Sequence, residues 1–160
     1  MKRNKIKILI LLLSLNIFLF GDFINKVDQD IDFKKLTAQS IKENKQLLIF
    51  FHTTYCPYCE RMKDRTFNDK EVKELLKKDF IFVDINIDDD GIVSYQNFKD
   101  TKFRFGEYLD LSIYPVVFLV EDEEISYEIR GYKNSSQFRK YLKYFKTKSY
   151  EELDFDEFKE

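Results

Sequence analysis

The sequence predicts an α/β domain built on a sheet covered on both faces, and three observations carry that expectation. Short apolar runs at residues 46–51, 80–87 and 116–120 alternate with segments of helical spacing, in the order helix, βαβ, then ββα. Runs with little polar alternation are what strands buried on both faces require. The chain's two cysteines stand together as Cys56-Pro57-Tyr58-Cys59, where the first apolar run gives way to a helical stretch. One of its two prolines, Pro115, directly precedes the third run.

Each element has its own local reason. Lys2, Arg3, Lys5 and Lys7 precede an almost unbroken apolar run over residues 8–20. That run is shorter than the about 20 residues a membrane span needs, so residues 1–21 are expected to be an export signal cut after Gly21. An uncleaved anchor is the alternative. Residues 22–32 are expected as a linker. Phe33, Leu36, Ser40 and Ile41 share one side of a helix that Asn44 ends. Residues 46–51 form a buried strand. Pro57 suits the first turn of a helix over 57–67, where its missing N–H costs nothing. Asn68-Asp69-Lys70-Glu71 reads as a capping box opening a helix with Val72, Leu75 and Leu76. Residues 80–87 form the next strand.

Asp88-Asp89-Asp90-Gly91 is a turn, without the spacing or terminal Glu of a calcium loop. The segment 88–112 is charged yet carries Tyr95, Phe98, Phe103, Phe105 and Tyr108. It is therefore expected as an ordered insertion, with a short helix over 107–111, that sets partner choice. Residues 116–120 and 125–130 form a hairpin around a polar turn. Asn134-Ser135-Ser136-Gln137 caps a last helix that places Phe138, Tyr141, Leu142 and Phe145 on one face. The domain is expected to span residues 33–146, followed by an acidic extension over 147–160.

A chain of 160 residues buries a sizeable core without staples. A net charge of −2 gives no sign of a nucleic-acid partner. The cysteine pair carries the chemistry. A helix N-terminus favours negative charge, so the Cys56 sulfur is expected as a thiolate, with Cys59 one turn on to close a disulfide with it. Two cysteines are too few for structural zinc, and a loop this short gives little stabilisation as a purely structural bridge. No metal or other cofactor is expected. One alternative stays open: His52, the only histidine, could join Cys56 and Cys59 in a copper(I) chaperone site. Otherwise it is a surface or supporting residue.

Phe50-Phe51-x4-Cys56-Pro57-Tyr58-Cys59, the strand at 80–87, Tyr114-Pro115 and Gly131 follow the order of the thioredoxin fold, and the chain resembles exported thioredoxin-related proteins. It is most similar to SoxW-like periplasmic thioredoxins through Glu43-Asn44-Lys45, the C-P-Y-C, and Gly131-Tyr132 followed by Phe138 and Tyr141-Leu142. Residues 59–83, with Thr66-Phe67 and Val72, are also similar to the C-terminal domain of the membrane reductase DsbD. The resemblance implies a thioredoxin-like fold, a central mixed sheet flanked by helices, with an insertion before a cis-proline. It makes Cys56 the nucleophile and Cys59 the resolving thiol. Tyr55 takes the place of the usual Trp, and Tyr114, Pro115, Tyr58 and Tyr55 are expected to contact substrate.

The resemblance further implies a monomeric, periplasmic protein-disulfide reductase. Its substrates are disulfides of exported proteins, such as apocytochrome c or a sulfur-oxidation carrier, and its electron donor is a membrane protein of the DsbD or CcdA type. A disulfide-forming oxidase of the same fold is the alternative direction, and a glutaredoxin-like enzyme would want a glycine pair where only Gly131 stands. One departure stands out. Thioredoxins commonly place a buried Asp six residues before the first Cys as proton acceptor for the second; here that residue is Phe50. Water or Glu60 is expected to take its part.

Overall fold

The computed structural model describes residues 24–26 and 30–159, so the expected signal segment 1–21 and its cut after Gly21 lie outside the described residues. The chain runs β1 (Ile24–Lys26), β2 (Ile31–Asp32), α1 (Phe33–Glu43), β3 (Gln46–His52), α2 (Pro57–Arg61), α3 (Lys70–Asp79), β4 (Phe80–Asn86), β5 (Ile92–Tyr95), β6 (Phe98–Thr101), α4 (Lys102–Tyr108), β7 (Val116–Glu121), β8 (Glu124–Arg130) and α5 (Ser135–Lys146). The main sheet has the order β1-β4-β3-β7-β8. Its β1, β4 and β3 are parallel, and β7 and β8 are antiparallel to their neighbours. β2, β5 and β6 form a second, smaller sheet. The expected mixed sheet flanked by helices is present. Two strands, β1 and β2, lie in the stretch expected as linker.

Both faces of the main sheet are covered, which is why its central strands read as continuous apolar runs. On one face Leu48, Phe50, Phe82 and Leu119 pack with Cys59, Val72, Leu76, Phe138 and Phe145 from α2, α3 and α5, and with Met62 just after α2. On the other, Leu47, Ile49, Phe51, Val83 and Phe118 pack with Phe33, Val93, Tyr95 and Phe105. Edge-to-face contacts run through the first core, with Phe67 at 4.9 Å from both Phe50 and Phe82 and 5.3 Å from Phe138. Much of the chain's phenylalanine is accounted for by these two cores.

Four local expectations are corrected. In α1 the buried side is Phe33, Thr37 and Ser40, while Ile41 is 69% exposed, because the helix is phased by Phe33 meeting the second core. The helix expected over 57–67 is α2 followed by a π-helical turn, Met62–Thr66. Asn68 is not the cap of α3. Its Nδ2 donates to the carbonyls of Lys63 and Asp64, satisfying the end of the π turn, and Asp69 accepts the N–H groups of Glu71 and Val72 as N-cap. In the insertion, the helix lies at Lys102–Tyr108 rather than over 107–111, because the Thr101 side chain accepts the Arg104 N–H and starts it earlier. The capping box at Asn134 and Gln137 is formed as the sequence predicts.

Candidate active site

The sheet register places the motif. β3 and β4 end together, His52 opposite Asn86, and the chain leaves β3 through Thr53–Tyr55 into Cys56. β7 runs back beside β3 with Val116 opposite Phe51, so Pro115 arrives at the same end of the sheet. The Tyr114–Pro115 bond is cis, as the resemblance implies.

Cys56 is the N-cap of α2, with extended backbone, and its Sγ accepts the Cys59 N–H at 3.1 Å. Pro57 fills the first helical position, where no N–H is wanted. The two cysteines are joined in a disulfide, with Cα atoms 5.2 Å apart. Cys56 keeps 9% of its surface exposed and Cys59 none, so an incoming disulfide meets Cys56. A sulfur at an N-cap, facing a backbone N–H, is in a position that favours its anion.

The loop into the motif is held by the end of β4 and the turn that follows it. Asp88 Oδ2 accepts the Thr54 N–H at 2.7 Å, and Asn86 Nδ2 donates to Thr54 Oγ1 and Asp89 Oδ1. Asp88 also acts on Tyr114: burial first, then the Asp88 charge, raises the Tyr114 phenol above its ordinary value. Around the disulfide, Tyr55 is 95% exposed and Tyr58 60%, with Ile113 also exposed and Tyr114 half-buried. Tyr58 lies beside the Tyr132 ring, over which Arg61 stacks. An open, aromatic-rimmed surface of this kind can accept an extended peptide.

His52 is not a surface residue. It is buried, and its Nε2 lies 2.7 Å from Asp84 Oδ1 and 2.8 Å from Lys63 Nζ, while Lys63 Nζ is 3.3 Å from Asp84 Oδ2. His52, Cys56 and Cys59 do not converge as metal ligands: among the described residues no three His, Cys, Asp or Glu side chains do. Burial pushes the Asp84 carboxyl up, but the hydrogen bond and charge of His52 and the charge of Lys63 outweigh it and hold Asp84 below the usual carboxylate range. The signal was in the sequence: an Asp inside the buried strand Phe80–Asn86 had to have a partner. Spacing alone did not say that the partners were His52 and Lys63.

The chain is similar to several solved structures. It aligns with a thioredoxin-fold protein from Helicobacter pylori at 27% identity and TM-score 0.57, over 71% of this chain and 76% of that one. A thioredoxin from Thermus thermophilus aligns at 16% identity and TM-score 0.56, over 76% of this chain and 86% of that one. The DsbD C-terminal domain from Neisseria meningitidis aligns at 18% identity and TM-score 0.49, over 69% of this chain and 89% of that one. No curated protein sequence matches the chain. The family model described as thioredoxin-like domain matches residues 33–146. With that match, the fold and the Cys56–Cys59 disulfide, the chain belongs to the thioredoxin-like domain family and is a thiol–disulfide oxidoreductase.

Proposed function

We propose that this oxidoreductase works outside the cytoplasm and reduces disulfides of exported proteins. The observation that carries this reading is a redox-active Cys56-x-x-Cys59 behind a basic segment and an apolar run of signal-peptide length. The Cys56 thiolate attacks a substrate disulfide and forms a mixed disulfide, expelling the first substrate thiolate. Cys59 then displaces the second, so that the substrate leaves as a dithiol and Cys56–Cys59 is oxidised. Tyr55, Tyr58 and Tyr114 line the surface where the substrate chain lies, and Pro115 shapes its edge. A membrane donor of the DsbD or CcdA type returns the electrons, and the resemblance to SoxW-like proteins supports that direction.

Thiol trapping in the native organism tests the direction. The pair is expected mostly reduced; a mostly oxidised pair assigns disulfide formation instead. N-terminal sequencing of the cellular protein is expected to find a start near Asp22. A retained Met1 in the membrane fraction would replace export by anchoring.

A further inference from the structure

Arg61 stands near the redox pair with a guanidinium whose N–H donors no described residue uses. It belongs to the helix that Cys56 caps, three residues beyond Tyr58. Residues three apart share a helix face, so Arg61 rises on the same side as Tyr58. Its Cζ sits 4.9 Å from the centre of the Tyr132 ring, and the Tyr58 ring lies 6.3 Å from that ring. Such a contact holds the guanidinium by its face and leaves its edge open, where its paired N–H groups point. Among the described residues no carboxylate pairs with Arg61, Glu60 and Asp64 on the same helical run included.

The ring beneath it is fixed by the site itself. Gly131, at φ 74°, donates its N–H to the Pro115 carbonyl at 2.7 Å, and the Lys133 carbonyl accepts the Thr66 hydroxyl at 2.7 Å. Tyr132 is held between these two bonds, beside Pro115. The neighbouring cations are engaged elsewhere. Lys133 Nζ donates to the Arg130 and Gly131 carbonyls, and Arg130 pairs with Glu128. The other flank of the site is acidic, since Asp88 holds the loop at Thr54 and its charge reaches Tyr114. A substrate chain crossing Cys56 therefore passes from a carboxylate near Tyr114 to a guanidinium over Tyr132.

We propose that Arg61, held over Tyr132, is a specificity residue that takes the carboxylate of an Asp or Glu near the reacting cysteine of the substrate. The two carboxylate oxygens match two N–H groups on the guanidinium edge, a fit that a lysine ammonium does not offer. Five residues of helix from Cys56 to Arg61 advance about 7.5 Å, and extended chain covers about 3.3 Å per residue, so the acidic residue lies about two or three positions from the substrate cysteine. Arg61 moves no proton or electron; the sulfur chemistry stays with Cys56 and Cys59.

This names a substrate class for the exchange reading and rests on it, and one experiment separates the two. The probes are short peptides with one cysteine, capped as a mixed disulfide with thionitrobenzoate from the aromatic disulfide DTNB. Each carries Glu, or Gln in its place, either at the spacing above or about six residues away, some 20 Å along an extended chain. The Cys56 thiolate of the reduced protein attacks the peptide sulfur, the capping S–S bond breaks, and thionitrobenzoate leaves with the electron pair. Cys59 then displaces the peptide thiolate. If the unmodified protein never releases the peptide thiol, the exchange reading itself fails. For Arg61, the Glu rate over the Gln rate is measured in the parent protein and in Arg61→Gln. Dividing one ratio by the other removes the peptides' own reactivity. The quotient is expected at about threefold or more for the near Glu, the upper part of what an exposed pair gives, and near one for the distant Glu. A quotient below that for the near Glu overturns the proposal. So does an equal quotient at both spacings, which is general charge steering. Arg61→Lys should show a smaller preference than the parent, and a full preference there would overturn the bidentate contact.

Discussion

A carboxylate held in the core beside a histidine and a lysine couples folding to acid. Asp84 is depressed in the folded state, so its contribution is fully present above its unfolded value of about 3.9 and is lost as pH falls through the lower folded value. Urea unfolding between pH 6 and pH 2 should therefore show a smaller acid loss in Asp84→Asn than in the parent protein. At neutral pH the same variant should cost about 1 to 3 kcal/mol, because it removes the counter-charge of the partly buried Lys63. At the sulfurs, the N-cap place of Cys56 predicts one thiol more acidic than an ordinary cysteine. Alkylation rate against pH in the reduced protein should show that thiol disappear in Cys56→Ala and persist in Cys59→Ala.

Among the elements, the insertion between β4 and β7 is ordered, as its aromatic residues lead one to expect. Its side chains build one wall of the second core, with Val93 and Phe105 fully buried and Phe105 in edge contact with Phe33 and Tyr95. Phe105→Ala should cost about 3 to 5 kcal/mol in equilibrium unfolding. Helix α4 also reaches the site. A Cβ at Gly106 would stand 3.0 Å from the Tyr114 hydroxyl, so the glycine is what lets α4 approach the residue before Pro115. Gly106→Val should slow reduction of a protein disulfide such as insulin more than that of a small aromatic disulfide, since only the former lies along Tyr114. Tyr114→Phe, which removes the crowded hydroxyl, should restore part of the rate.

At the scale of the molecule, the chain after α5 closes the fold instead of trailing from it. Tyr150 donates to Glu121 on β7 at 2.6 Å, Phe155 stacks on Tyr141 at 3.7 Å under Lys140, and Phe158 packs on Tyr144. Burial and the Glu121 carboxylate push the Tyr150 phenol far above its ordinary value, so this tie persists through the alkaline range where ordinary tyrosines ionise. Removing residues 149–160 should lower the melting temperature by several degrees and leave the DTNB reaction of the cysteines unchanged. Phe155→Ala alone should cost about 1 to 2 kcal/mol, as for a partly buried ring.

Local rules were enough for much of this protein. Apolar runs marked β3, β4 and β7, Asn134 with Gln137 marked the start of α5, and Cys56-Pro57-Tyr58-Cys59 marked the redox site, because each depends on neighbours within a turn or on period alone. The same rules show that a lone Asp in a buried strand must be paired, but not by what. Tertiary structure decided that His52 and Lys63 would meet Asp84, and that Asp88 would hold the loop at Thr54. It also decided that the aromatic insertion and the acidic tail would each cover a core. These contacts join residues 11 to 104 positions apart, and nothing in sequence spacing encodes which side chains a parallel register and a crossing helix bring together.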